Sequence, residues 1–136
     1  MIDKQALSES DVATLLDSAR REAAQQGWPV SIAVVDDGGH LLAFTRMQAA
    51  SPASAHIAQS KARTAALGQR ESKFYEDMLH AGRHAFLTAP GIECILEGGV
   101  PVVVGGQCVG AVGVSGVKSH EDSQIAKAGI AALATV

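Results

Sequence analysis

Hydrophobic and polar positions follow helical spacing in several stretches of the chain. Over residues 11–25 apolar residues recur every three or four positions after a capping serine, which predicts an amphipathic helix. Alanine-rich segments over residues 54–67 and 120–134 predict two further helices whose short side chains suit close packing. For the last of these helices, Ser119 is the expected N-cap and Asp122 the expected capping-box residue.

Strands are predicted where short runs of apolar residues are separated by glycine-rich turns. Residues 30–36 and 41–47 flank an Asp-Asp-Gly-Gly turn, and residues 98–116 contain two strands of small and β-branched residues around a Gly-Gly turn. A short helix over residues 72–81 and a possible strand over residues 93–96 lie between the two hairpins. Because tight turns join consecutive strands, the sequence predicts an α+β layered domain with an antiparallel sheet of about five strands flanked by helices.

Composition narrows the classes of function. The 136 residues suffice for a single domain over residues 1–136 with a core built mainly of aliphatic side chains, because 47% are hydrophobic and only 4% aromatic. A net charge of −3 without a basic run argues against nucleic-acid and membrane partners, and a cytoplasmic protein is expected. The two cysteines, Cys94 and Cys108, lack metal-type spacing and are expected to be free thiols.

Three polar residues near the middle of the chain are candidates for a metal or haem-iron site. Glu76, His80 and His84 are four residues apart, which would place them along one helical face. The alternative is a solvated polar face, since Gly82 interrupts the predicted helix.

The second predicted helix carries candidates for acid–base chemistry and ligand binding. His56, Ser60 and Arg63 share one face, whereas Lys61 lies beside the small apolar positions, where it could act as a base or anchor an anion. The alternative for Lys61 is a stem that covers the sheet edge with its ammonium in water. At the end of the second strand, Arg46 could bind a carboxylate or form a structural ion pair.

A glycine pair after an acidic residue is a further candidate binding element. Glu97, Gly98 and Gly99 could present backbone N–H groups to an anion, although the segment has none of the lysine and hydroxyl residues of a nucleotide phosphate loop.

Three blocks of sequence, taken together and in this order, resemble the GlcG/HbpS-like family, which also includes the C-terminal domain of PduO. The blocks span residues 33–47, 57–65 and 98–116, and they are followed by Asp122 and residues 125–129. The resemblance covers nearly the whole chain.

The resemblance implies a profilin-like or PAS-like fold, assembly into homo-oligomers, and haem or corrinoid association in some members. The loop over residues 47–56 departs from the acidic type common in the family, with Gln48 where aspartate is expected. The ligand of this chain is therefore left open.

Three hypotheses for function follow. The first is a small-molecule-binding protein that binds or degrades haem, with His56, His80 or His84 as the iron ligand. The second is a cofactor-independent enzyme acting on a small carboxylated or carbonyl metabolite, with Lys61 or a histidine as acid–base group and Arg46 as carboxylate anchor. The third is an oligomeric accessory protein.

Overall fold

The computed structural model of the protein describes residues 1–134. Helices and strands alternate in an order close to the predicted one. The helices are α1 (Glu9–Gln26), α2 (Pro52–Gly68), α3 (Ser72–His80) and α4 (Ser119–Ala134), with a short 3₁₀ helix over His84–Thr88. The strands are β1 (Ser31–Asp36), β2 (Leu41–Arg46), β3 (Gly99–Val104) and β4 (Gln107–Ser115). None of the described helices is long and apolar enough to cross a membrane.

The four strands form one sheet in the order β2-β1-β4-β3, and every neighbouring pair is antiparallel. The strand predicted over residues 93–96 is wrong, so the sheet has one strand fewer than expected. Side chains of α3 bond the end of this segment: the Ser72 hydroxyl donates to the Leu96 carbonyl at 2.6 Å, and the Glu97 N–H donates to the Glu76 carboxylate at 3.1 Å. These bonds take the Leu96 carbonyl and the adjoining Glu97 N–H out of any strand pairing.

Helices cover both faces of the sheet, so the central strand β1 is buried on both sides. Ile32 and Val34 of β1 face a large aliphatic core that includes α1 and α4. Ala33 and Val35 face a smaller core made almost entirely of α2 alanines. Alternation along an extended strand sends successive side chains to opposite faces, and here both faces meet helices.

The small side chains let α2 lie very close to the sheet. Gly99 and Gly113 are directly opposite each other in the β3–β4 pair. A Cβ atom on Gly113 would overlap the Ala58 carbonyl oxygen, and one on Gly99 would overlap the Lys61 carbonyl oxygen. The close packing expected from the alanine-rich sequence therefore depends equally on glycines in the strands beneath.

The N-termini of α1 and α4 are capped differently. Ser8 and Asp11 form a reciprocal capping box at the start of α1, with bonds of 2.9 and 3.1 Å. At α4 the expected box is wrong: the helix begins at Ser119, and Glu121 accepts the Lys118 N–H at 3.2 Å. Asp122 turns into the interior instead, where it meets a buried cation.

Candidate functional site

A polar cleft lies between α2 and the turn that joins β1 to β2; we call it the α2–hairpin cleft. Its volume is about 430 Å³. The hairpin contributes Val35, Gly39, His40 and Leu41, and α2 contributes His56, Gln59, Ser60 and Arg63. Helical spacing explains the second set, because positions three, four and seven apart lie on one face.

Three of the α2 side chains face this cleft without a protein partner. Among residues 1–134, the side chains of His56, Ser60 and Arg63 make no hydrogen bond or ion pair. The Gln59 amide nitrogen donates to the Ala55 carbonyl at 3.1 Å, which leaves its carbonyl oxygen available. The predicted shared face of His56, Ser60 and Arg63 is therefore confirmed, and it faces a cavity.

On the hairpin side, His40 is held by an acidic residue four positions earlier. Its Nδ1 lies 3.1 Å from Asp36 Oδ1, which also accepts the backbone N–H groups of Gly38 and His40 at 2.9 Å. Partial burial acts to raise the pKa of Asp36, but these hydrogen bonds outweigh it and lower the pKa below its ordinary 3.8. Sequence reasoning missed His40; an aspartate and a histidine across a tight turn were the available signal.

Lys61 does not line the cleft. Its side chain is only 2% exposed, so the water-exposed alternative is wrong. The ammonium donates to the Val114 carbonyl at 2.9 Å and to the Asp122 carboxylate at 3.0 Å. The anion that Lys61 binds in this structure is an internal carboxylate and not a group in the cleft.

Asp122 is the residue of this buried pair that sequence reasoning misassigned. It also accepts the Val117 N–H at 3.2 Å. Burial raises the pKa of Asp122 above its ordinary value, and the neighbouring Lys61 opposes that rise. Space for the pair depends on Gly98, whose φ is +133° and where a Cβ atom would lie 2.7 Å from the Lys61 Nζ.

Arg46 lies outside the cleft, at the exposed end of β2. Its Nε donates to the Ala50 carbonyl at 3.1 Å, which braces the loop that leads into α2. The structure therefore does not bring Arg46 and Lys61 together around one cavity.

The backbone N–H groups of the Glu97-Gly98-Gly99 segment are mostly used within the protein. The Glu97 N–H donates to Glu76, as described above, and the Gly99 N–H donates to the Ser72 hydroxyl at 2.9 Å. The anion at this segment is thus the Glu76 carboxylate.

The proposed stripe of Glu76, His80 and His84 is not continuous. Helix α3 ends at His80, Gly82 has a φ of +102°, and His84 begins the separate 3₁₀ helix. Within the described part of the chain, no group of three or more His, Cys, Asp and Glu side chains could hold a metal ion. Glycine at position 82 admits this left-handed conformation and so ends the face that the spacing predicted.

The two cysteines are free and half-buried. Burial raises the pKa of the Cys108 thiol, which donates to the Gly110 carbonyl at 3.4 Å. Neither cysteine lies in the α2–hairpin cleft.

A larger groove of about 640 Å³ lies elsewhere, beside the end of β3. Its walls are mostly aliphatic, and its one carboxylate, that of Asp11, already serves the α1 capping box. The smaller α2–hairpin cleft is the better candidate site, because His56, Ser60 and Arg63 converge on it without a protein partner among the described residues.

Comparison with known proteins points to one family. Residues 7–131 match the family described as haem degrading protein HbpS-like. The protein GlcG of Escherichia coli strain K12 is 56% identical over 115 residues, which cover 85% of each chain.

Solved structures agree with the fold. A double mutant of Streptomyces reticuli HbpS superposes with a TM-score of 0.88 at 32% identity, covering 96% of this chain and 89% of that one. A complex of PduOC with heme superposes with a TM-score of 0.85 at 29% identity, covering 94% and 95% of the two chains.

Proposed function

We propose that this chain, which belongs to the HbpS-like family of haem-degrading proteins, binds haem in the α2–hairpin cleft with His56 as the iron ligand. The observation that carries the proposal is an imidazole without a protein partner on the wall of a cleft. A solved relative, PduOC, is a complex with heme, which supports the ligand class but not the residue.

The residues of the cleft fit such a ligand. A neutral imidazole nitrogen is the commonest protein ligand of haem iron, and His56 has both ring nitrogens free of protein contacts among the described residues. Val35 and Leu41 add apolar surface for a flat macrocycle. When bound, haem supplies a redox-active iron that accepts axial ligands.

The chain itself contributes position and orientation. His56 lies on α2, a helix whose buried face is packed on strand glycines, so its backbone is held firmly. On the hairpin side, the hydrogen bond between His40 Nδ1 and Asp36 leaves Nε2 of His40 as the nitrogen with a free lone pair. His40 is thus a second imidazole available to the same cleft.

Titration of the purified protein with haemin tests the proposal. We expect a saturable Soret band in the wild type and a loss of affinity of more than about 10-fold in His56→Ala, because an iron–imidazole bond is removed. His80→Ala is the matched control, since His80 lies at the end of α3 and outside the cleft.

Equal spectra and affinities for His56→Ala and His80→Ala would contradict ligation by His56. Absence of any saturable Soret band in the wild type would contradict haem binding itself.

A further inference from the structure

We propose that Arg63, with Ser60, forms a subsite for a carboxylate group within the α2–hairpin cleft. The inference rests on the proposed function for the location of the site, but it assigns the chemical class that the ligand must carry. The carboxylate could belong to a tetrapyrrole propionate or to a free small organic acid, and the two sources are separated below.

The guanidinium of Arg63 has no acidic partner among residues 1–134. Three lysines on the helices have acidic partners: Lys61 meets Asp122, Lys73 meets Asp77 at 2.9 Å, and Lys127 meets Glu71 at 3.3 Å. Arg63 has no such partner within residues 1–134, and none of the eight residues lining its cleft is acidic. A guanidinium in this position attracts an anion from outside.

The turn between β1 and β2 holds the stem of Arg63 in place. Gly39 has a φ of +79°, and a Cβ atom there would lie 3.0 Å from the Arg63 Cγ and 3.6 Å from the Leu67 Cγ. A glycine turn therefore rests directly on the aliphatic part of Arg63. Packing of the stem lowers the conformational entropy that the side chain loses when its head binds a ligand.

Ser60 adds a second donor beside the Arg63 guanidinium. It is one helical turn before Arg63 and offers a hydroxyl group to the same cleft. A guanidinium presents paired N–H donors that match the two oxygens of a carboxylate. The two acidic residues of the hairpin turn are bonded elsewhere: Asp36 to Gly38 and His40, and Asp37 to Lys4.

The test compares an acid with its own ester. In the first arm, haemin and haemin dimethyl ester are titrated against the wild type, Arg63→Met and Arg70→Met. Arg70 is the matched control because it follows α2 and stacks on the Phe74 ring at 4.2 Å, outside the cleft. We expect haemin to bind about 10-fold or more tightly than its ester, as for a hydrogen bond between charged groups, and only Arg63→Met to remove this preference.

In the second arm, succinate and dimethyl succinate are added to the haem-free protein, and the backbone N–H resonances of Gly39 and Ser60, which line the cleft, are followed by NMR. A saturable shift with succinate alone, absent in Arg63→Met, supports a subsite for free acids. This arm decides the inference even if haemin does not bind, so failure of the proposed function and failure of the carboxylate subsite are distinguishable.

If haemin binds more tightly than its dimethyl ester, the subsite is assigned to propionates. If only succinate is preferred over dimethyl succinate, the subsite is assigned to small organic acids. Equal binding of acid and ester in both arms overturns the inference, as does an equal effect of Arg63→Met and Arg70→Met.

Discussion

Lys61 and Arg63 lie two residues apart on α2, but Lys61 is buried and Arg63 is exposed. Lys61 points into the protein, is 2% exposed and is neutralised by Asp122 at 3.0 Å. Arg63 points into the α2–hairpin cleft, where no described residue answers its charge. The helix thus has one face whose charge is neutralised inside the protein and one face whose charge has no partner among the described residues.

The buried pair allows this small domain to combine stability with an open cleft. Taking two charges out of water costs free energy that only close partners offset, so the buried pair leaves Lys61 and Asp122 little freedom to move. The same pair ties α2 to α4 and sets the position of the helix on the sheet. A helix held in this way can present exposed polar groups on its other face without rearranging.

Removal of the buried cation should have the largest effect on stability. We expect Lys61→Met to lower the free energy of unfolding by about 3–5 kcal/mol, because it leaves the Asp122 carboxylate buried without a counter-ion. Arg63→Met is the matched control and should change stability by no more than about 0.5 kcal/mol, as for an exposed side chain without partners. Urea denaturation of the three proteins measures both values. Similar losses for the two variants would contradict the distinction between the faces.

A smaller loss of stability is expected when a side chain is introduced between the sheet and α2. Gly113→Ala places a Cβ atom against the Ala58 carbonyl, so α2 must shift, and we expect a loss of about 2–3 kcal/mol. Ser60→Ala changes the cleft face of the same helix and should cost at most about 0.5 kcal/mol. The midpoints of thermal unfolding provide the measurement. A neutral Gly113→Ala would show that the helix is not seated on the strand glycines.

The smallest expected effect is a pH dependence of the free energy of unfolding that arises from the buried pair of Lys61 and Asp122. Burial already places the folded-state pKa of Asp122 above its ordinary 3.8, and removal of Lys61 takes away the charge that opposes this rise. Stability from such a raised pKa is fully present below the ordinary value and is lost as pH rises through the folded-state pKa. The gap in stability between wild type and Lys61→Met should therefore narrow as pH falls from about 7 toward about 4.

Urea denaturation at several pH values in this range checks the dependence, with Arg63→Met as the control whose gap to the wild type stays constant. A gap that widens on acidification would contradict the assignment of the effect to Asp122.

Much of the architecture was predictable because it depends on local pattern. The helix periodicity over residues 11–25, the two glycine turns and the alanine-rich α2 each specify an element through neighbours in sequence. The absent fifth strand was not predictable in this way. Residues 93–96 have the composition of a strand, but Ser72 and Glu76 from α3 satisfy the adjoining backbone groups, and that contact exists only after the chain has folded.

Local sequence pattern was enough to predict the layered α+β fold, the family, and the helical face that carries His56, Ser60 and Arg63. Contacts between distant segments establish that Lys61 is an internal counter-ion, that Asp122 is its partner rather than a helix cap, and that His40 joins the cleft. The physical reason is that periodicity tells which residues share a face, whereas charge neutralisation and burial depend on what distant parts of the chain bring to that face. Lys61 and Asp122 are 61 positions apart, and no local pattern links them.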